Sequence, residues 1–432
     1  MQLMIDEIGE ASVQPIARPG KWFGLIAVIL GLFVAAGVAA YFFGSQNLND
    51  GVFWGMGIAN FVTFIGISCG GAIVTALLSV TNAKWGTPIN RIAEALAVVA
   101  LVVGVLVLMM DLGRPEQLWR TLITPNTYSP IIWDTVVIAL YFVASLIVFY
   151  LPLIADLGIL RNRPSLPIAT WQRKLYSILS LGWKGLPQQQ KALSRAMNFM
   201  PMLIIPMVVF VHSVLGWAFA VNLREGWHST IFGPYFVVGA LFSGVAADIL
   251  VIVAFRKAYR LDKFIGSKQI RNLGYLMMVL GGTYLYFTFA ELLTEGYAQT
   301  QASVPLITSL LALNYAPLFW FFIIGTVVIP MLIVAIPKTR NIGGITVAAT
   351  LVVAGMWLKR VLIVVTPLRT DLFFTPANSY FPSWAEFAIT VGAFAAIPLA
   401  LMFIFRIFPI LSVHEINEAT AESEVSSNTS MQ

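Results

Sequence analysis

Seven ionisable side chains interrupt long apolar runs in this 432-residue chain: Glu94, Asp111, Asp134, His212, Asp248, Glu291 and Arg360. A charge held in so apolar a surrounding costs several kcal/mol on insertion scales, so each one needs a partner or a task. Carboxylates, an imidazole and a guanidinium at graded depths are the groups a proton route requires. Along their runs, Glu94 and Asp248 fall towards one end and His212 lies midway. Asp111, Asp134, Glu291 and Arg360 occupy the far third. Structural readings stand beside this one. Glu94 follows Arg91 by three residues and reads equally as a helix-end ion pair. Asp134, in SPIIWD, stands at a helix start where an acid favours the macrodipole. Asp248 has water at the near face, or Arg256 two turns on, as alternative company. His212 is harder to place in a bland role, because a neutral imidazole away from water still needs two hydrogen-bond partners.

The remaining chemistry is narrow. A single cysteine, Cys69, excludes a disulfide framework, a CxxC redox pair and a cysteine-ligated iron–sulfur cluster within the chain. The histidines are His212, His228 and His414, and only His212 sits well inside an apolar run, so a bis-histidine haem is not expected. No metal site is expected, and no GxxxxGK[ST] loop is present to hold a nucleotide phosphate. Any redox centre belongs to a partner or to a diffusible small molecule.

The elements that must position these groups follow from composition. Hydrophobic residues make up 59% and charged residues 11%, against about 45–50% and about 25% in ordinary globular chains. Mean hydropathy is +0.84. The sequence predicts an all-α membrane protein with ten transmembrane helices, at about 22–43, 53–81, 90–110, 131–155, 193–222, 231–256, 269–293, 315–337, 342–366 and 383–406. Residues 1–21 form an N-terminal segment, 22–406 the membrane domain and 407–432 a C-terminal tail, with the acidic, Ser/Thr-rich stretch from Glu415 on expected to be disordered. The terminus-side segments hold 20 of the 26 Lys and Arg residues and the opposite side 4. By the positive-inside rule both termini are cytoplasmic, in the inner membrane of a bacterium. The outer loops are short, acidic and rich in Trp. The stretch near 156–192, with Trp171, Lys174, Trp183 and Lys184, is expected to lie on the anionic inner leaflet. Nothing in the pattern suggests a nucleic-acid partner.

Three local patterns join the spans: MDLGRPEQLW leading into SPIIWD, HSVLGWAFAV leading into GWHSTIFGPYF, and MWLKRVLIVV leading into SYFPSWAEF. Together with RIAEAL at the start of the third span, they resemble the NrfD/polysulfide-reductase membrane-subunit family. The ten-span branch is the most similar: the membrane subunits of alternative complex III, of hydrogenase-2-type complexes and of sulfate-reducer complexes. The likeness covers the chain from about residue 53 to FPILSVHEI. Three positions depart from the alternative complex III pattern. Relatives commonly carry His where Asp111 stands, an acid at the place of Ala218, and often Glu at the place of Lys359. This tilts the assignment towards a different complex using the same kind of subunit.

The resemblance implies two four-helix bundles, about 53–222 and 231–366, with the first and last spans peripheral. It implies a quinone-binding subunit, for menaquinone or ubiquinone, that is not catalytic alone and carries no haem or cluster of its own. Electrons would pass to or from an iron–sulfur subunit docked on the periplasmic side. Multihaem cytochrome or molybdopterin-type subunits and other membrane subunits would complete the complex. The quinone pocket would draw on Asp111, Arg114, Trp133, Asp134, His212 and Trp217. Asp134 is the first choice of proton-accepting base and Asp111 the second. Glu94, His212, Asp248, Glu291 and Arg360 would form the proton route. The alternative is a proton-coupled secondary transporter of a small solute, for which matching broken spans would be the sign. Pro201 and Pro206 are expected to break the fifth span, with only Pro398 as a counterpart.

Overall fold

A computed structural model describes residues 2–17, 20–44, 55–81, 83–112, 115–301, 303–369, 380–418 and 420. Two short helices open the chain, α1 (Gln2–Ser12) and α2 (Gln14–Ala17), followed by α3 (Phe23–Phe43), α4 (Met56–Val80) and α5 (Thr87–Asp111). Then come α6 (Leu118–Ile123), α7 (Pro130–Arg161), α8 (Thr170–Leu179), α9 (Pro187–Ala220), α10 (Phe232–Ala258) and α11 (Ser267–Ala298). The chain ends with α12 (Ser303–Leu311), α13 (Ala316–Phe321), α14 (Ile329–Ala335), α15 (Ile342–Arg369) and α16 (Trp384–Ile407). A π-helical stretch, Phe322–Val328, joins α13 to α14 into one span. The protein is a multi-pass, all-α membrane protein with ten candidate spans and no strand among the described residues. Helix is the expected element, because lipid offers backbone groups no partner.

Burial sorts the spans. In the most apolar window of α4, 89% of residues are buried, against 11% in α3. Thus α4 is a core helix, while α3 leans on α16 at the edge. Contacts run in a closed cycle through α4, α5, α7 and α9, and in a second cycle through α10, α11, α14 and α15. The cycles meet where α4 crosses α10. There Gly70 and Gly244 face each other so closely that a Cβ on Gly70 would lie 2.1 Å from the Gly244 Cα. Only a glycine pair permits that approach.

The two chain ends meet at one face. Ile410 N donates to the Ser12 carbonyl at 3.0 Å, and Arg406 Nη1 donates to the Pro15 and Ile16 carbonyls at 3.0 and 2.6 Å.

Four expectations are corrected here. Helix α9 runs unbroken through Pro201 and Pro206, because tertiary packing keeps a proline-containing span helical. Helices α7 and α9 extend beyond their apolar windows to Arg161 and back to Pro187, so the spans project past the apolar layer. The 156–192 stretch is not simply laid on lipid. Trp171 is 58% exposed, but Trp183 is buried against Gly158, and the Tyr176 hydroxyl donates to the Ile407 carbonyl at 2.6 Å. Finally, the described residues after α16 pack onto the fold, Glu415 among them. Ile410, Leu411 and Val413 are fully buried, and residues 413–418 form a helical turn that contains Glu415. Apolar side chains at 410, 411, 413 and 416 give this segment something to bury.

Candidate functional site

The face opposite the chain ends carries the residues expected to hold a ligand. Pro130 starts α7, so Asp134 sits one turn inside the helix and half-buried rather than at its cap. The neighbouring Trp133 indole donates to the Thr127 carbonyl at 2.8 Å, anchoring the loop before α7. Asp111 closes α5 and lies against α4, where a Cβ on Gly57 would meet its Oδ1 at 2.3 Å. The charge it faces is that of Glu386 on α16 rather than Asp134. Glu386 is held by the Tyr380 hydroxyl and by the Ser383 N–H, the latter at 2.8 Å. The two candidate bases therefore belong to different helix contacts. Trp217 is 44% exposed, with its indole nitrogen beside Gly233. Arg114, the remaining expected pocket residue, lies outside the described residues.

Deeper in, the picture changes. His212 projects from α9 into the core with 1% exposure, and neither ring nitrogen has a hydrogen-bond partner among the described residues. The Val208 carbonyl, one turn back, is near but fails the geometry of a bond. The charge that His212 faces is Arg360, reaching across from α15. The Arg360 Nη2 donates to Ser243 Oγ at 2.8 Å and to the Gly239 carbonyl at 3.4 Å, whereas its Nη1 is unpaired. Gly66 on α4 makes room for this guanidinium: a Cβ there would lie 2.4 Å from Nη2. Asp248 on α10 is fully buried, and neither carboxylate oxygen has a partner among the described residues. Arg256, its suggested neighbour, pairs instead with Asp262 at 2.6 Å.

Beside Arg360, Lys359 turns the other way. Its ammonium lies 3.7 Å from Glu291 Oε2 and over the rings of Tyr235 and Phe322. Tyr235 stacks on Tyr284 at 4.6 Å between centroids and bonds Thr288 Oγ1 at 2.8 Å. The π-helical stretch reaches this cluster through Phe322, whose ring lies under the Lys359 ammonium and edge-on to Tyr284, and such distortions of a helix concentrate at functional sites. Glu291 and Lys359 line a small cavity of about 40 Å³ together with Glu295 and Gly226. Lys359 was missing from the expected site residues. A second cation adjacent to Arg360 within one apolar span was the signal.

At the chain-end face, Arg91 is 1% exposed and gives its Nη2 to Asp156 at 2.7 Å, while Glu94 lies 3.9 Å from its Nε. Asp156 also accepts from the His414 N–H at 2.8 Å. Arg91 is thus chiefly the partner of Asp156. Neither Asp156 nor Glu415 was among the expected site residues, because their neighbours come from remote parts of the chain.

Sequence comparison adds a lineage to this geometry. The family described as "Polysulphide reductase, NrfD" matches residues 44–370. A protein provisionally named as a membrane subunit of dimethyl sulfoxide reductase, from Halobacterium salinarum, is 27% identical over 420 residues, covering 90% of this chain and 91% of its own. A selenate reductase subunit of Mesobacillus selenatarsenatis is 26% identical, covering 83% of this chain and 86% of its own. The Hdr-like menaquinol oxidoreductase integral membrane subunit of Archaeoglobus fulgidus is 25% identical, covering 93% and 97%.

Proposed function

The chain belongs to the NrfD polysulphide-reductase family, and from that premise we propose that it is the quinone-binding membrane subunit of a respiratory oxidoreductase complex. In this reading it exchanges electrons between membrane quinone and an iron–sulfur subunit on the periplasmic side, with both termini in the cytoplasm, and it moves protons as it does so. The relatives support membership of a multi-subunit reductase or oxidoreductase complex, and one of them is named for menaquinol.

The observation that carries the reading is His212, a buried imidazole with two unpaired nitrogens. Leaving one buried polar group unpaired costs about 1–3 kcal/mol, so the site is better satisfied by a ligand that can both accept and donate a hydrogen bond. A quinone carbonyl accepts and a quinol hydroxyl donates, which fits. When bound, the quinone supplies two-electron, two-proton redox chemistry. His212 orients the head group through one ring nitrogen. Asp134, half-buried on α7, takes a proton released at the site. Asp111 serves as the second base and Arg114 as an orienting cation. Glu94, Asp248, Glu291 and Arg360 carry protons between the faces, with Lys359 as the counter-charge to Glu291.

The test is electron transfer from a quinol analogue in the purified complex. His212→Ala is expected to lower the rate by about a hundredfold and Asp134→Asn by a comparable factor. Unchanged rates in both variants would overturn the assignment of the site.

A further inference from the structure

The segment after α16 turns back under the cycle formed by α4, α5, α7 and α9 and borders a cavity of about 100 Å³. Thr75, Ser79, Asn90, Glu94, Asn198 and Glu415 give it a polar lining. A water needs about 10–15 Å³ of such space, so several fit. Glu94 is 7% exposed and its Oε2 has no hydrogen bond, while Glu415 accepts from the Asn90 side chain.

Charge counting sets the protonation state. Glu94 from α5 and Glu415 from the C-terminal segment line the cavity; Arg91 on α5 stands 3.9 Å from Glu94 and joins it to Asp156 on α7, 2.7 Å away. The exposed Glu418 lies beyond them and faces His414 Nε2 at 3.5 Å. One guanidinium cannot offset three carboxylates so far from bulk water. Of the three, Asp156 alone has both a guanidinium, from Arg91, and a backbone N–H, from His414, to meet a negative charge. Glu94 and Glu415 share the cavity wall and Glu94 faces the Glu415 charge, and like charges sharing one site do not both ionise.

We propose that Glu94 and Glu415 hold one proton between them, and that the C-terminal segment completes a proton-loading site at the chain-end mouth of the membrane domain. Burial pushes the Glu415 carboxyl up to about 7, against the opposing pull of Arg91, which places its exchange within the physiological range. The inference deepens the proton-route part of the function proposed above and rests on it.

Infrared difference titration of the assembled, detergent-purified complex tests it. One protonated-carboxyl band that titrates with a midpoint near neutral pH is expected to depend on both residues, disappearing in Glu94→Gln and in Glu415→Gln alike. Separate bands removed one by each substitution, or a near-neutral band unchanged by either of them, overturn the proposal. If Glu415→Gln does not accumulate, Glu415→Asp keeps the carboxyl and must keep the band; its loss there overturns the proposal as well. Quinol turnover is measured on the same samples. Turnover with no shared band removes this site alone, whereas the band without turnover in the unmodified complex removes the quinone reading alone.

Discussion

Asp156 and Asp248 are both aspartates with no solvent exposure, yet they live in opposite circumstances. Asp156 is met by a guanidinium at 2.7 Å and a backbone N–H at 2.8 Å. Asp248 meets no hydrogen-bond donor among the described residues. The first pins the C-terminal segment to α5 and α7, so its burial is recovered as structure. The second lies against α4 at Gly71, whose Cβ position is 3.3 Å from its Oδ1, and contributes nothing to stability that a neutral residue would not. A buried acid with partners holds the fold, and one without partners leaves a desolvated carboxyl that nothing in the packing repays.

Removing the partnered acid should have the largest effect. Asp156→Ala leaves the Arg91 guanidinium buried and unpaired and should cost about 3–5 kcal/mol, read as a lowered thermal midpoint or loss of the assembled complex. A midpoint within a degree of the original would erase the distinction. Asp248→Asn should do the reverse. The fold should be as stable as before or more so, since a desolvated carboxyl is gone, while proton uptake during turnover slows by about a hundredfold. Uptake measured with a pH dye in proteoliposomes checks this, and full uptake would show Asp248 to be inert.

A pH series sharpens the comparison at the chain-end face. Glu415 has its carboxyl raised from 4.5 to about 7 by burial, so the folded form binds the proton more tightly than the free segment does. That contribution is complete below about 4.5 and is lost as pH climbs through about 7. Protection of residues 410–418 against hydrogen exchange, taken relative to the intrinsic base-catalysed rate, should therefore fall above neutrality, and a fall on acidification would contradict the sign. The smallest effect should come from a satisfied neutral chain. The Trp357 indole donates to Asn60 Oδ1 at 2.8 Å, and the Asn60 amide donates to Thr390 Oγ1 at 2.8 Å, linking α15, α4 and α16. Trp357→Phe should cost about 1 kcal/mol in thermal unfolding, with proton uptake untouched.

The ten helices were legible because lipid imposes length and apolarity on each one separately, and those are local properties. His212 and Asp248 were legible for the same reason: a polar group in an apolar run is conspicuous without any knowledge of its neighbours. What could not be read were pairings. Asp156 and His414 are separated by 258 positions, and no periodicity links them, so the C-terminal segment passed for a polar tail. Lys359 with Glu291 and Asp111 with Glu386 were hidden likewise, since each pair joins helices whose adjacency is decided by packing. The prolines of α9 misled in the other direction, because a local breaker was overruled by the tertiary surroundings.

The contact of Gly70 with Gly244 reaches beyond packing. Backbone lies on backbone there, with no side chain of either residue between the helices. A side chain on either glycine would have to push the two helices apart, so this crossing is a point where the spacing of the two cycles is set by the backbone itself.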